Sequence, residues 1–421
     1  MRGALRCSVI DRTAPFGTRL CAPYPWDVTD STLLAIISGP DAPGQTSAIF
    51  SAVAGTRAEV VDLEQVVVRG HLTLGVLFGS RPEDDGELID RVAGACARQG
   101  LSVTFAQTPS EHRVKAPGRA IVTVLGSPLT TQHVAAVATS VAAYGANIDK
   151  IRRLSRYPLT TVEFAVSGVD LPGLQIVLAS AAVEYGFDVA LSPAGLARHG
   201  RRLVVMDVDS TLIQDEVIEL LAAHAGREAE VAAVTEAAMR GELDFAESLH
   251  HRVATLKGLP ESVFDEVRAR IRLTPGARTL VRTLKRLGFT VAVVSGGFIE
   301  IVGPLAAELG IDHAHANRLE VVDGVLTGRV VGEVVDRAGK ARTLRRFAEA
   351  EGLPLSRTIA IGDGANDLDM LAAAGLGVAF NAKPIVQEQA RAAVNVPYLD
   401  SVLYLLGISR DEIEEAGLHT T

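Results

Sequence analysis

The stretch "VVMDVDSTLIQDE", Val204–Glu216, decides how the second half of the chain folds. Its short apolar run predicts a buried strand, and the strand ends in two aspartates, Asp207 and Asp209, with one residue between them. Two unit charges about 4 Å apart cost roughly 4 kcal/mol at an effective dielectric near 20. The pair therefore indicates a cation between the carboxylates or a proton shared by them.

Working outward, three more short apolar strands follow, "TVAVVS", "RTIAIGD" and "LGVAF", and helical stretches separate them. This alternation predicts an α/β fold with a Rossmann-like, doubly wound parallel sheet over residues 202–410. About eighty residues separate the first two strands, which is too long for a simple crossover. We therefore expect a helical cap over about 214–272, above the strand ends where such folds place their sites.

The first half of the chain has a different pattern, in which the element order βαββαβ occurs twice, over 31–110 and 117–192. This internal repeat predicts two α+β ferredoxin-like modules. We expect residues 1–30 to form an irregular arm, residues 193–201 to form a linker and residues 411–421 to form a C-terminal tail.

Composition narrows the function. The 421 residues carry a formal net charge of −9, which argues against general affinity for nucleic acid or anionic membranes. The N-terminus does not resemble a signal peptide, and no uncharged apolar stretch reaches the roughly 18 residues of a membrane span. The three cysteines lack the spacing of a disulfide framework or zinc site. The expected location is cytoplasmic.

Other strand ends supply groups that complement the two aspartates. Ser295 and Gly296 end one predicted strand, and Asp363 ends another. A hydroxyl and exposed backbone N–H groups favour an anion such as phosphate, whereas a carboxylate is a hard ligand suited to Mg²⁺. Lys340, which precedes a helical stretch, could add a positive charge.

Taken together, these residues resemble the haloacid dehalogenase superfamily of phosphohydrolases. The matching motifs, in the superfamily's order, are D-x-D-S-T at Asp207–Thr211, Ser295-Gly296, Lys340 and "GDGAND" at Gly362–Asp367. The resemblance implies that Asp207 attacks phosphorus and becomes an aspartyl-phosphate. It also implies that Asp209 protonates the leaving oxygen and later activates water.

The same resemblance implies a magnesium ion held by the Asp207 carboxylate, the Asp209 main-chain carbonyl and Asp363. It further implies that Ser295, the Gly296 N–H group and Lys340 stabilise charge on the phosphoryl oxygens. Asn366 would belong to the same phosphate site. Asp367 would orient Lys340 or the metal shell.

The cap suggests which phosphate ester is the substrate. Its residues resemble the cap of superfamily members that hydrolyse O-phospho-L-serine, the last step of L-serine biosynthesis; they are Glu216, Met239, Phe245 and Arg252. In those enzymes a glutamate holds the substrate ammonium and an arginine its carboxylate, while Phe and Met close over the apolar part. One Glu and one Arg are the minimum pair that complements an α-amino acid.

The first repeat contains "GPDAPG" between its first strand and helix, which resembles the amino-acid-binding turn of ACT domains. The resemblance implies an amino-acid effector, such as serine, near Gly39, Asp41 and Gly44, and it implies a homodimer. The second repeat has "GSPLTT" at this place and departs from the pattern. Both modules could instead serve only for dimerisation or as a scaffold.

Two other functions are compatible with parts of the pattern. One is a different capped phosphatase or phosphotransferase of the same superfamily, which would share Asp207 and differ in the cap. The other is an amino-acid sensor with a relic phosphatase domain, whose expected mark is a lost nucleophile or metal ligand; Asp207, Asp209 and Asp363 are all present. Phosphoric monoester hydrolysis remains the main prediction.

Overall fold

The computed structural model describes residues 31–108, 118–156, 159–195, 198, 200–239 and 245–417, and the predicted arm at 1–30 lies outside them. The chain divides into two compact units, Met1–Val114 and Lys115–Thr421. Across the residues described, no helix is both long enough and apolar enough to cross a membrane.

The first unit is a four-stranded antiparallel sheet with two helices on one face, in the strand order β2-β3-β1-β4. Inward side chains of β1, such as Leu33 and Ile37, pack against helix residues such as Val92 to form its core. The predicted βαββαβ order is confirmed. Its elements are β1 Ser31–Pro40, α1 Gln45–Val53, β2 Glu59–Val68, β3 His71–Ser80, α2 Asp85–Arg98 and β4 Ser102–Thr108.

The second unit begins with another module of the same order, and its strands lie in the order β8-β5-β7-β6. Strand β5 is buried along its whole length because it pairs with a strand on each side. The elements of this module are β5 Ala120–Gly126, α3 Thr131–Ala143, β6 Asn147–Ser155, β7 Thr160–Ser167, α4 Leu171–Tyr185 and β8 Asp188–Pro193.

The rest of the second unit is the predicted sheet with a helical cap, and its strands run parallel except for the edge strand Val325–Val331, which pairs antiparallel with His313–Val322. Strand β9, Leu203–Met206, lies at its centre and pairs in parallel with β10 and β13. The cap contains α5 Val217–Ala225, α6 Glu228–Met239, α7 Phe245–Ala254 and α8 Val263–Arg268. The following elements are α9 Ala277–Arg286, β10 Thr290–Phe298, α10 Ile299–Leu309, β11 His313–Val322, β12 Val325–Val331 and α11 Arg337–Ala350. The last elements are β13 Thr358–Gly362, α12 Leu368–Ala373, β14 Leu376–Phe380, α13 Pro384–Gln389, β15 Ala392–Val394, α14 Val402–Leu405 and α15 Arg410–Glu415.

The two chain segments that enter and leave the cap are hydrogen-bonded to each other. Thr274 N donates to Leu212 O at 3.0 Å, and Gln214 N donates to Arg272 O at 2.9 Å. The Arg272 side chain also pairs with Asp215 at 2.6 Å. This short ladder fixes the cap entrance next to the turn Val208–Leu212 that follows Asp207.

The second module and the parallel sheet form one continuous sheet of eleven strands, ordered β12-β11-β10-β9-β13-β14-β15-β8-β5-β7-β6. Strands β8 and β15 join them through the antiparallel pair Ala190 and Ala392. Asp188 reinforces this joint because it accepts hydrogen bonds from the Asn395 backbone N at 2.6 Å and from its Nδ2 at 2.7 Å. The expected linker at 193–201 therefore does not separate two independent bodies.

The chain end also differs from expectation, since residues 410–415 form helix α15 instead of part of a tail. Ile413 is buried, and Asp411 forms an ion pair with Arg156 of the second module at 3.1 Å. Burial of an apolar side chain gives this segment a reason to fold onto the protein.

Candidate active site

The sheet order brings the predicted chemical groups together. Strands β10, β9 and β13 are neighbours and run parallel, so their carboxyl ends meet at one edge. Asp207 directly follows β9, Ser295 lies near the end of β10, and Asp363 directly follows β13. Loops after parallel strands are where such folds place their ligands.

Asp207 is buried at this edge and contacts a lysine. Its Oδ1 accepts a hydrogen bond from Val208 N at 2.8 Å, and its Oδ2 pairs with Lys340 Nζ at 2.8 Å. Lys340 Nζ also pairs with Asp367 Oδ1 at 2.7 Å. Lys340 lies within α11 and not before it, because Asp336 caps the helix by accepting a hydrogen bond from Gly339 N. The helix thereby directs a fully buried ammonium group between two carboxylates.

The charges of this cluster do not balance. Burial, followed by the Asp367 charge, raises the pKa of Asp207 well above its usual value. Burial also raises the pKa of Asp363, to about 6. Burial opposes protonation of Lys340, but the carboxylates of Asp207 and Asp367 raise its pKa overall. Lys340 therefore stays charged but cannot neutralise all the carboxylates around it.

A divalent cation fits this excess of negative charge. Carboxylate oxygens of Asp207, Asp363 and Asp367 all lie within 4.8 Å of one another. Oxygen ligands are those that hard divalent cations prefer. Asp367 is also engaged elsewhere, because its Oδ2 accepts a hydrogen bond from Gly364 N at 3.0 Å. The donor set is that of a divalent-metal site.

Asp209 lies in the turn Val208–Leu212, two residues after Asp207. Its Oδ1 accepts a hydrogen bond from Val217 N at 2.7 Å, and its Oδ2 accepts one from Ser295 Oγ at 3.0 Å. Gly297 N donates in turn to Ser295 Oγ at 2.7 Å. A Cβ atom on Gly297 would lie 3.0 Å from Asp209 Oδ2, so a larger residue there would displace the carboxylate by a few tenths of an ångström. These contacts fix the carboxylate in one orientation.

Asp363 is held by the turn Val208–Leu212, since Thr211 Oγ1 donates to Asp363 Oδ1 at 2.8 Å. The preceding Gly362 leaves room for a neighbouring side chain, because a Cβ atom there would lie 2.4 Å from Asp367 Cγ. The glycine and the hydroxyl explain why the two acidic motifs pack against each other.

The cap places one acidic residue, Glu216, and one basic residue, Arg252, near Asp207 and Asp209. Glu216 Oε1 accepts a hydrogen bond from Ser210 Oγ at 2.8 Å. Burial, followed by the Asp209 charge, raises the pKa of Glu216 to about 7. Arg252 lies on α7, where its Nε donates to Ser248 O at 3.3 Å, and burial lowers the pKa of its guanidinium group. Both groups are partly desolvated, which strengthens their interaction with a charged ligand.

These groups line one cavity, together with two apolar cap residues. The lining residues are Asp207, Asp209, Glu216, Ile218, Leu249, Arg252, Gly296, Gly297, Asp363 and Asn366. The predicted residues Ser295, Lys340 and Asp367 are buried immediately behind the wall. The side chains of Met239 and Phe245 lie outside the described part of the chain.

Sequence reasoning missed several residues that build this site. Leu249 lines the cavity three residues before Arg252 on α7, and the i,i+3 spacing could have identified it. Ser210 and Thr211 lie inside the quoted motif, yet their contacts to Glu216 and Asp363 need the folded turn. Asn317, a buried amide on β11, carries no signal in the sequence.

The structure also places the turn expected to bind an amino acid in the first module. Gly44 has φ +89° and precedes α1, a conformation that favours glycine. A Cβ atom on Gly39 would lie 2.7 Å from Leu101 Cδ2. Asp41 N donates to Gly70 O at 2.9 Å, and this residue is exposed. The turn is therefore tight, with one carboxylate available to solvent.

A capped sheet with acidic groups after two parallel strands, β9 and β13, and a serine–glycine loop in a third, β10, is typical of one class of phosphohydrolase. The profile of haloacid dehalogenase-like hydrolases matches residues 204–372, and two ACT-domain profiles match residues 31–106 and 119–192. Both resemblances drawn from the sequence are confirmed. The class is a haloacid dehalogenase-like hydrolase preceded by two ACT domains.

Comparison of this chain with individual proteins identifies a family within that class of hydrolases. The chain is 60% identical to a phosphoserine phosphatase of Streptomyces coelicolor, over 91% of this chain and 94% of that protein. It is 54% identical to a phosphoserine phosphatase of Mycobacterium tuberculosis, over 91% and 95%. A solved structure of a probable phosphoserine phosphatase from Vibrio cholerae, in unliganded form, is 36% identical with a TM-score of 0.53, over 70% and 88%. The chain belongs to the phosphoserine phosphatase family.

Proposed function

We propose that this chain hydrolyses O-phospho-L-serine to L-serine and inorganic phosphate. The observation that carries the proposal is a single cavity lined by the carboxylates of Asp207 and Asp209 and by the opposite charges of Glu216 and Arg252. The substrate presents a phosphate group, an ammonium group and a carboxylate. Each of these three groups has a complement in the cavity.

In the first half of the reaction, a carboxylate oxygen of Asp207 attacks phosphorus and the bond from phosphorus to the serine oxygen breaks. Asp209 gives its proton to the leaving oxygen, so that L-serine departs as a neutral alcohol and Asp207 carries the phosphoryl group. The hydrogen bonds from Val217 N and Ser295 Oγ support this role because they hold Asp209 in one orientation.

In the second half, Asp209 takes a proton from a water molecule, and the oxygen of that water attacks phosphorus. Phosphate leaves, and Asp207 is restored as a carboxylate. Charge on the phosphoryl oxygens is stabilised by Lys340, the Gly296 N–H group and Asn366. The Ser295 hydroxyl donates its single hydrogen to Asp209 Oδ2, and it would become a fourth donor by turning that hydrogen to a bound phosphoryl group. Burial supports this assignment, because electrostatic interactions are stronger in a site that excludes water.

We assign the metal site to Mg²⁺, which Asp207, Asp363 and the main-chain carbonyl of Asp209 would hold. A bound ion would supply positive charge to the phosphoryl oxygens and favour the ionised form of Asp207. Asp367 holds Lys340, consistent with their ion pair. Within the cap, Met239 and Phe245 would cover the apolar part of the substrate.

The proposal is tested by measuring phosphate release from O-phospho-L-serine, O-phospho-L-threonine and glucose 6-phosphate. We expect kcat/KM to favour phosphoserine over phosphothreonine by about tenfold or more, because an extra methyl group must fit a closed pocket. Chelation with EDTA should stop all three reactions, and Mg²⁺ should restore them. Equal kcat/KM values for the three esters would contradict the assignment of phosphoserine as substrate. Full activity in EDTA would contradict the assignment of a metal.

The proposal extends to location and partners, namely a cytoplasmic homodimer in L-serine biosynthesis with an amino-acid effector such as serine at the ACT domains. The effector site is the turn at Gly39, Asp41 and Gly44. Strand β2 supports dimerisation because all ten of its residues are exposed on a sheet edge. Several are aliphatic, and edges of this kind are usually covered.

A further inference from the structure

The pairing of β10 with β11 is interrupted at the phosphate-binding loop. Ser295 pairs with Ala316, but the next pair is Phe298 with Asn317, so Gly296 and Gly297 form a bulge. Both glycines line the cavity. A bulge removes ladder hydrogen bonds, and buried backbone groups that lose them need other partners.

The Asn317 side chain supplies that partner. Its Nδ2 donates to Gly296 O at 2.8 Å, and its Oδ1 accepts a hydrogen bond from Val335 N at 2.8 Å. Only 1% of Asn317 is exposed. Asparagine offers a donor and an acceptor on one short planar group, so two different chain segments are fixed by a single side chain.

The first of these contacts reaches Asp209 through the loop. The carbonyl of Gly296 and the N–H of Gly297 belong to one planar peptide, so holding the first orients the second. Gly297 N donates to Ser295 Oγ, which leaves the serine's own hydrogen to be donated to Asp209 Oδ2 at 3.0 Å. A continuous series of hydrogen bonds thus connects Asn317 to the acid–base carboxylate.

The second contact reaches Lys340. Val335 is followed by Asp336, whose side chain caps α11 and whose carbonyl accepts a hydrogen bond from Lys340 N at 2.9 Å. Anchoring Val335 N therefore fixes the start of the helix that directs Lys340 into the site.

We propose that Asn317 is a positioning residue for phosphoryl transfer, which holds the Gly296-Gly297 bulge and the start of α11 in register with Asp207. It contacts neither the cavity nor the reacting atoms and acts through Ser295 and Lys340. This inference rests on the proposed phosphatase function.

The first test compares Asn317→Asp and Asn317→Ala with the full-length wild type. The aspartate keeps the volume and the acceptor for Val335 N but places an oxygen against Gly296 O. We expect kcat to fall about tenfold to a hundredfold, as when an outer hydrogen-bond partner of a metal ligand is removed. The fall should be equal for phosphoserine and p-nitrophenyl phosphate, because Glu216 and Arg252 are untouched. Competitive inhibition by inorganic phosphate should weaken in parallel.

Thr358→Val is the matched control. Thr358 is also 1% exposed, and its Oγ1 donates to Leu355 O at 2.8 Å and accepts from Gly375 N at 3.3 Å. It joins two segments at the other end of β13, away from the cavity. We expect a lowered unfolding temperature with unchanged kcat. Equal kcat losses in this variant and in Asn317→Ala would overturn the proposal, and so would failure of both Asn317 variants to fold.

A double-mutant cycle with Ser295→Ala separates positioning from general stability. If Asn317 acts through Ser295, Asn317→Asp should lower kcat in the Ser295→Ala background by much less than in the wild type. Multiplicative losses within about twofold would mean that the residues act independently, and the proposal would fail. If the wild type hydrolysed p-nitrophenyl phosphate but not phosphoserine, the assignment of phosphoserine as substrate would fail, yet this cycle could still be measured with p-nitrophenyl phosphate. A wild type inactive on both esters would remove both proposals.

Discussion

Asp207 shares its buried surroundings with Asp367 and Asp209, and the Lys340 ammonium offsets only part of their charge. Replacing Asp207 with Asn keeps the side-chain volume and the acceptor for Val208 N. Lys340 keeps Asp367 as a partner. Removal of one repelling charge offsets the lost ion pair, so the fold should tolerate the change.

We expect Asp207→Asn to abolish phosphate release, because an amide cannot act as the nucleophile, while the unfolding temperature stays close to that of the wild type. Phosphate release and thermal unfolding measured on the same preparation check this. Appreciable residual hydrolysis would mean that another group attacks phosphorus.

Glu216 predicts a pH effect specific to the amino-acid part of the substrate. Its pKa of about 7 reflects burial first, then the charge of Asp209, with Asp363 and Glu219 adding smaller repulsions. Arg252 is the cation that faces it from α7. Because the pKa is raised, Glu216 loses its charge as the pH falls through about 7, and it then binds an ammonium group poorly.

We therefore expect the ratio of kcat/KM for phosphoserine to that for p-nitrophenyl phosphate to fall below pH 7, approaching about tenfold per pH unit for one ionisation. Using the ratio cancels groups that both reactions share. Glu216→Gln should lower the ratio and make it independent of pH between about 5 and 8. An unchanged slope in that variant would assign the ionisation to another group.

At the scale of residues, the sequence identified groups whose chemistry is visible in their type, such as Asp207 and Lys340. It could not identify Asn317, whose partners Gly296 and Val335 are distant in the sequence, or the hydroxyl of Ser210, whose contact depends on the conformation of the turn. Ser210 even adopts φ +55°, which is uncommon for a residue other than glycine. Only the folded turn shows that its hydroxyl reaches Glu216.

At the scale of elements, helix α7 is held against the hairpin of β11 and β12. The segment after α7 exchanges backbone hydrogen bonds with it: Gly258 N donates to Leu326 O at 2.9 Å, and Leu326 N donates to Leu259 O at 2.9 Å. A Cβ atom on Gly328 would lie 3.3 Å from Ala254 Cα, so the hairpin and the helix end are in close contact. This packing sets the position from which Arg252 reaches the cavity.

Arg252→Ala should lower kcat/KM for phosphoserine by a factor that corresponds to about 2–5 kcal/mol of lost transition-state stabilisation. This is the range for loss of one partner of a desolvated charge pair. Turnover of p-nitrophenyl phosphate, which lacks the carboxylate, should change little. Steady-state kinetics with both esters test this, and Arg282→Ala on α9 of the same unit serves as a control outside the cavity lining. Equal losses on the two esters would contradict the assigned role.

The elements themselves were largely predictable, because their apolar periodicity is local. The differences arose where tertiary contacts override the pattern. Strand β10 continues through Gly296 and Gly297 to Phe298, since β11 pairs with it beyond the bulge. Helix α11 begins at Arg337 because Asp336 caps it, which places Lys340 inside the helix.

At the scale of the whole molecule, the second ACT domain shares the sheet of the catalytic part. Besides the joint at β8 and β15, Arg152 Nη2 donates to Gly407 O at 3.1 Å. Glu163 pairs with Arg198 at 2.5 Å in a nearly buried position. These contacts predict that the two ACT domains respond differently to truncation.

Deletion of residues 1–117 should leave an active enzyme and should abolish any response of activity to serine. Deletion of residues 1–200 should lower the unfolding temperature and promote association, because it exposes the edge of β15 and leaves Asn395 without Asp188. Thermal unfolding, light scattering and phosphate release compare the two. Inhibition by serine that persists in the shorter deletion would place the effector site outside the first ACT domain.

The sequence by itself determined the fold classes, the order of the domains and the acidic, hydroxyl and lysine groups of the site, because strand and helix periodicity and reactive side-chain types are local properties. Tertiary structure alone decided how β8 joins β15, where α7 places Arg252 and how Asn317 contacts the Gly296-Gly297 bulge. Those features depend on contacts between residues far apart in the chain, and such contacts form only when the sheet order and the packing of the cap are set.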